Sequence, residues 1–321
     1  MNAGAGRTGG RIALLSAPSG LGLRPPAQGR EPGTSGAPDA LRTAGLFTRF
    51  ANAGAIDAGA VVPGRYVDDD ETRPPGRLRN QDQIVEHARR LGHRIAHLLG
   101  EGRVPLVIGG DCSLLIGAGI GLSGIPGAGL VHIDGHTDFR HPGNSDSWAS
   151  LAGEDLAAAI GRHIPAIADV DGLGPFFAAD RTVHIGCRDD DDELAEVRRA
   201  IGLVLPASRV TRIGAAASAD ATRAVVGHGG YWLHLDVDAL DPSFMPAVDS
   251  PDPGGLGPDE LIELLQQLAP EAIGVQITVF DPELDPDGRY AALLTEVLVA
   301  GLGELGSGRA GHIAGVDQTA C

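Results

Sequence analysis

Gly129-Leu-Val-His-Ile-Asp134-Gly-His136-Thr-Asp138 is the stretch on which the fold turns. A short apolar run stops on a carboxylate, and an imidazole and a second carboxylate follow at alternate positions. About a hundred residues later the plan recurs as Tyr231-Trp-Leu-His-Leu-Asp236-Val-Asp238, continuing into Ala239-Leu-Asp-Pro242. Apolar runs of this length read as buried strands. Each acidic cluster then sits where a strand ends, at the carboxyl edge of a parallel sheet, where open α/β folds hold their ligands. Four carboxylates and an imidazole converging there repel one another unless a cation neutralises them. The expected cation is a divalent metal, and the pattern suggests two.

Around these runs, strand and helix signals alternate. Arg11–Ser16, Val104–Ile108, Gly129–Ile133, Thr182–Ile185, Tyr231–Leu235 and Ile273–Val279 read as strands. Helices are expected over Pro38–Phe47, Asn80–Leu99, Glu154–Ile160, Asp190–Ala200, Ala219–Val226, Pro258–Leu268 and Ala291–Leu302. In the second of these, Ile84, Ala88, Leu91, Ile95 and Leu98 make one apolar face. A βαβα rhythm of this kind predicts an α/β fold, a parallel sheet with helices on both faces. Three loops rich in Gly, Pro, Ser or Asp are too long to be connectors: Pro18–Gly36, Phe139–Ala152 and Asp241–Gly257. Two follow directly from the acidic clusters, and loops on that edge carry specificity.

The 321 residues suffice for one large core. Residues 1–10 are expected to be a disordered N-terminus, 11–305 one catalytic domain, and 306–321 a C-terminal tail. The formal charge is −17 and every basic residue is Arg, with no basic run. That balance disfavours nucleic acid and anionic membranes and favours a cationic substrate or metal. Three scattered cysteines, Cys112, Cys187 and Cys321, make no disulfide framework. With no signal-like or membrane-spanning stretch, the expectation is a soluble cytoplasmic protein.

In Asp134-x-His136-x-Asp138 alternate residues share a side if the chain stays extended. Carboxylate with imidazole suits Mn²⁺, and also Zn²⁺, Fe²⁺ or Ni²⁺. Asp after a strand also serves as a cap or turn residue, but two clusters in register with strands weaken that reading.

At this point the sequence resembles the arginase family of ureohydrolases, which includes agmatinases and formimidoylglutamases. Gly109-Gly-Asp-Cys112-Ser113 is similar to the family's GGDHS, Asp134–Asp138 to its DAHTD, and Asp236–Pro242 to its DVDxxDP. Gly36-Ala-Pro-Asp-Ala-Leu-Arg42, Ile185-Gly-Cys-Arg-Asp189 and Gly254-Gly-Leu256 extend the likeness from about Arg11 to Leu302. The resemblance implies a three-layer αβα fold with an eight-stranded sheet, a binuclear site, usually of Mn²⁺, and hydrolysis of a guanidine or amidine through a metal-bridging hydroxide. It implies Asp134 and Asp236 as bridging ligands, Asp138 on one ion and as partner of the hydroxide, and His136 and Asp238 on the other ion. Relatives form trimers and hexamers, so a homo-oligomer is implied as well.

The pattern breaks at four places. The sixth ligand, the histidine of GGDHS, falls at Cys112, a softer donor that shifts preference toward Zn²⁺ or Fe²⁺. Ala152 stands where arginases carry a proton-shuttle histidine, with His141 a candidate replacement acid–base. Arg140 replaces a carboxylate-binding Asn and is a candidate carboxylate clamp or a structural arginine, with Asn144 in the same loop and Asp191 as further substrate contacts. No acid occupies the guanidinium-gripping position in Gln276–Pro282. A C–N hydrolase of a non-standard guanidine, amidine or formimino compound is the leading expectation. A mononuclear, deacetylase-like amide hydrolase and a non-catalytic scaffold are the alternatives.

Overall fold

The computed structural model describes residues 11–309, so the expected disordered segment 1–10 and most of the expected tail lie outside the described residues. The start of that tail is built in: Arg309 donates to the Gly229 carbonyl at 3.2 Å.

Eight strands form one sheet: β1 (Ile12–Ala17), β2 (Ile56–Ala60), β3 (Val104–Gly109), β4 (Gly129–Ile133), β5 (Thr182–Ile185), β6 (Leu203–Leu205), β7 (Tyr231–Asp236) and β8 (Ala272–Thr278). Their order is β2-β1-β3-β8-β7-β4-β5-β6, and every pairing is parallel. The helices in chain order are α1 (Ala37–Thr43), α2 (Leu46–Asn52), α3 (Gln81–Gly100), α4 (Leu114–Leu122), α5 (Asp155–Ala159), α6 (Pro165–Ala168), α7 (Leu194–Ala200), α8 (Ala207–Ile213), α9 (Ala215–Val226), α10 (Pro258–Leu268) and α11 (Arg289–Leu302). The α1, α2 and α8–α11 helices share one core with Val131, Ile133, Leu233, Leu235, Val275 and Ile277. On the other face, α3–α7 pack over Leu130 and Trp232 and around Leu21 and Tyr66. The three-layer α/β architecture with eight strands is the expected one.

Two strands escape the sequence reading for physical reasons. The edge strand β2 reads Ile-Asp-Ala-Gly-Ala and is largely exposed, and β6 has only three residues. The helix expected over Pro38–Phe47 is two helices, because Gly45 adopts φ +91 between α1 and α2. The α4 helix, Leu-Leu-Ile-Gly-Ala-Gly-Ile-Gly-Leu, is buried on every side and so shows no polar period. The expected Asp190–Ala200 helix begins only at Leu194, which leaves Asp190–Glu193 in a loop. One segment bears on the expectation of no membrane-length stretch. The segment Arg289–Arg309 is long and apolar enough to span a bilayer, but half of its apolar window is buried inside this fold, as a core helix would be.

Parallel strands send all eight carboxyl ends the same way, and the central four, β3, β8, β7 and β4, set their ends side by side. After β3 the chain turns at Gly110, whose Cα faces the Ser19 backbone so closely that a Cβ would collide with it. That contact brings the first long loop against the strand end. Ser19 Oγ then donates to Asp111 Oδ2 at 2.6 Å, and Asp111 Oδ1 accepts from the Ser113 N–H at 2.9 Å. Backbone cannot swing aside as a flexible side chain can. Gly110→Ala is therefore expected to cost about 2–3 kcal/mol of stability, measured as a lower denaturant midpoint at unchanged m-value.

Candidate metal centre

The turn that follows β3 points Cys112 inward, where its Sγ lies 2.9 Å from Asp236 Oδ2 and 3.3 Å from Thr278 Oγ1. The end of β4 delivers Asp134, whose Oδ1 accepts from the His136 N–H at 2.7 Å. Gly135 lets the chain pass beneath Arg188 and Asp238, where a Cβ would collide with both. Asp138 takes φ +47, a left-handed conformation at the end of the motif. On β7, Asp236 accepts from the Asp238 N–H at 2.8 Å through a short turn, Val237–Ala239. Asp238 in turn accepts from the Gly135 N–H at 3.0 Å and meets His136 Nδ1 at 2.8 Å. Val279, at the end of β8, holds φ +70, a strained value for a β-branched residue, and its N–H donates to the Gly110 carbonyl at 2.6 Å.

Six side chains expected at a metal centre are thus brought together, in overlapping donor sets of which two hold five of the six. Asp134, His136 and Asp238 offer donor atoms within 4.8 Å of one another, as do Cys112, Asp134, Asp236 and a residue the motifs do not contain, His234. Asp134 belongs to both groups. Asp138 joins through further sets with Cys112 and Asp155 and with His132 and Asp134.

The electrostatics explain why such a centre needs a cation. Burial, and then the neighbouring carboxylates, push Asp134, Asp138 and Asp236 well above the usual carboxylate range. Burial, and then Asp236, raises the Cys112 thiol in the same sense. Burial also lifts Asp155 to about 7 despite His234. One ion pair resists the trend. Burial opposes charge on both partners, yet their mutual hydrogen bond outweighs it, raising His136 to about 10 and lowering Asp238 to about 2. Asp134 Oδ2 is buried with no hydrogen-bond partner. A hard carboxylate set with one imidazole, one thiol and an orphaned carboxylate oxygen fits divalent metal.

A cavity of about 600 Å³ opens over this floor, and all three long loops line it: Leu23 and Arg24, then Arg140 and Gly153, then Asp249 and Asp252. The loop between β5 and α7 adds Asp190–Glu193. Arg140 has no hydrogen bond among the described residues, and its guanidinium rests over Gly153. Its charge lies near Glu193, whose carboxyl it draws downward against the effect of burial. Asp191 lines the cavity but is already occupied by the Thr137 N–H at 2.9 Å and the Thr137 hydroxyl at 2.6 Å.

Two expected residues are not brought to the cavity. His141 Nε2 turns to Glu196 Oε1 at 3.2 Å while its Nδ1 accepts from Gly143. Asn144 bonds the Phe139 carbonyl and Glu196. Among the described residues lining the cavity, His136 is the only histidine, and Ala152 occupies wall where the shuttle was expected.

The sequence reading missed His132, His234, Asp155 and Asp252. His132 and His234 each precede a ligand aspartate by two residues, so strand alternation puts them on the ligand's own face. That parity was available in the sequence. Asp252, 3.1 Å from His136 Nε2, lies in a long loop and carried no signal.

The family model described as the arginase family matches residues 11–303. The arginase of Bacillus caldovelox is 29% identical over 301 residues, covering 91% of this chain and 98% of its own. Human arginase-1 is 29% identical over 285 residues, 85% of either chain. The solved arginase structure from Bacillus caldovelox matches at a TM-score of 0.81 and 27% identity, over 91% of this chain and 97% of that one. Proclavaminate amidino hydrolase from Streptomyces clavuligerus shares the fold at a TM-score of 0.69 and 22% identity, over 92% of each chain. The match runs through every strand and both aspartate clusters, and this chain belongs to the arginase family.

Proposed function

We propose that this chain hydrolyses a C–N bond, other than a peptide bond, in a small guanidine, amidine or formimino compound that carries an anionic group. The observation that carries the reading is the pair of donor groups sharing Asp134 on the cavity floor. Two groups favour two ions over the single ion of an amide hydrolase. The ions, when bound, supply Lewis acidity and a water acidic enough to act as nucleophile near neutral pH.

The chain's own residues do the rest. Asp134 is shared by the two groups, His136 and Asp238 complete one, and Cys112 and Asp236, with Asp138 beside Cys112, would complete the other. Mn²⁺ suits the carboxylates, while Cys112 moves the balance toward Zn²⁺ or Fe²⁺. Asp190, Asp192 and Glu193 present negative charge on the cavity wall, suited to an amidinium-like cation. Arg140, which makes no hydrogen bond among the described residues and has Glu193 as an electrostatic neighbour, suits a substrate carboxylate as a bidentate clamp. With Ala152 in the wall and His141 turned away, solvent, Asp138 or a wall carboxyl such as Glu193 is left to carry the proton to the leaving amine. The two described cysteines, Cys112 and Cys187, are free, which supports a reducing, cytoplasmic setting. A homo-oligomer belongs to the proposal through family likeness alone.

Metal analysis of the purified chain tests the reading. Two divalent ions per chain, falling to one in Cys112→Ala, together with amine or urea release in a guanidine and amidine screen, is the expected result. Protein that takes up no ion from Mn²⁺, Zn²⁺, Fe²⁺ or Ni²⁺ would sink it. Arg140→Ala is expected to raise KM about 10–100-fold for carboxylate-bearing substrates and to leave uncharged analogues unaffected; equal losses for both classes would remove the clamp.

Protons and metal compete for these ligands, which sets a sign. Raised carboxyls such as Asp155, at about 7, favour the metal-free fold below their unfolded pKa, and lose that contribution as pH rises through the folded value. His136 likewise holds its proton up to about 10, and that proton must leave before an ion binds. The gain in Tm on adding metal should therefore widen between pH 5 and pH 8, as read by paired thermal melts; a gain independent of pH would contradict this.

A further inference from the structure

Three buried histidines lie beneath the metal centre, where neither motif nor cavity uses them. His184 on β5, His132 on β4 and His234 on β7 are register partners, and Gln276 continues the row on β8. All four are essentially inaccessible to solvent. The row sits one side-chain layer below Asp134 and Asp236, which follow two residues later on the same strand faces. We infer that this row is a hydrogen-bonding support for Asp134, in which His234 directs an Nε2–H at Asp134 Oδ2. The inference rests on the metal-binding reading above and takes His234, whose donor atom lies near Cys112, Asp134 and Asp236, as a support and not a ligand.

The protons can be traced from one end. Trp232 Nε1–H donates to Gln276 Oε1 at 2.9 Å, and an indole nitrogen can only donate. The Gln276 amide nitrogen therefore faces His234 Nδ1, at 2.8 Å, as the donor. A neutral ring that accepts at Nδ1 carries its hydrogen on Nε2. His234 Nε2 lies 3.8 Å from Asp134 Oδ2, and both atoms are buried without a partner. From the other end, His132 Nδ1 is 3.0 Å from His184 Nδ1. His132 Nε2 faces only acceptors, Asp155 Oδ1 at 3.3 Å and Asp134 Oδ2 at 3.8 Å. His184 donating to His132 Nδ1 puts the His132 proton on Nε2, where Asp155 accepts it, and leaves His184 Nε2 buried without a partner. His234 Nε2–H is thus the proton aimed at Asp134 Oδ2, and a closure of about 0.6–1 Å brings it into hydrogen-bond range.

The rival reading is a deeper ion held by His132, His234 and Asp155, whose donor atoms are close enough. Ring geometry argues against it. The two imidazoles are stacked, with centroids 4.3 Å apart and planes 7° from parallel. An imidazole binds an ion in its ring plane at about 2.0–2.1 Å. An ion shared between these rings would lie about 2 Å out of both planes, the length of the whole bond. An oxygen 3.8 Å away tolerates that offset. His234 acting alone as a ligand would need a bare Nε2, which the Trp232–Gln276 pair denies it.

Ring-¹⁵N NMR of the full chain labelled at histidine, with metal titrations of wild type, His234→Ala and His234→Gln, tests the support. The expected result is a His234 ring protonated at Nε2 and bare at Nδ1. Metal affinity should fall about 10–100-fold in His234→Ala and recover most of that loss in His234→Gln, whose amide restores an N–H. A merely structural role would not distinguish Ala from Gln in two folded variants of equal Tm. Unchanged affinity in His234→Ala overturns the support alone, as does an Nε2 without hydrogen or an imidazole lost from the metal's X-ray absorption shell in His234→Gln. A wild-type chain that binds no ion overturns the hydrolase reading and the support together.

Discussion

Mutual repulsion among carboxylates organises this molecule. Asp134, Asp138, Asp155, Asp236 and Asp238 meet where four central strands end, and burial strips away the water that would screen them. Such a cluster is unfavourable by itself. Much of the surrounding structure answers it: the His136–Asp238 pair, the backbone N–H groups of Gly135, His136 and Asp238 turned onto carboxylate oxygens, and the imidazole row beneath. Two left-handed residues, Asp138 and Val279, hold backbone strain at the same edge. Strain and repulsion together are what a bound cation offsets.

The departures from the family pattern become a set when seen in space. Cys112 replaces an imidazole with a thiol held protonated by burial and Asp236. Directly beneath, two imidazoles not foreseen from the motifs face the aspartate common to both donor groups. Loss of a ring above and gain of rings below lie within one side-chain layer of each other. On the cavity wall, Ala152 stands near Arg140, a cation with no hydrogen bond among the described residues, above the same floor.

Much of this was legible in the sequence, and the failures share causes. Central strands announce themselves because both faces are buried and the run is continuously apolar. Edge strands such as β2 carry no such run, and α4, packed on all sides, carries no period. Five candidate ligands in the motifs could be read because each cluster is local in sequence. His132, His234 and Asp155 become one group only when β4, β7 and α5 are folded together. His141 and Asn144 sat at the right distance from Asp138 along the chain, but Glu196 on α7 draws both outward. Nothing within their own loop signals that partner.

The histidine row also bears on how the strands find one another. A central strand with apolar residues on both faces can slide by a residue at modest loss, since one aliphatic chain resembles another. Here a slip would turn His132 or His234 onto the face of Val131 and Leu233, among aliphatic side chains. Asp155, Gln276 and the neighbouring ring would be left behind unpaired. The polar row is therefore a keying device in the middle of an otherwise uniform core. It sets the offset between β4 and β7, and with it the spacing of two carboxylates that no single loop controls.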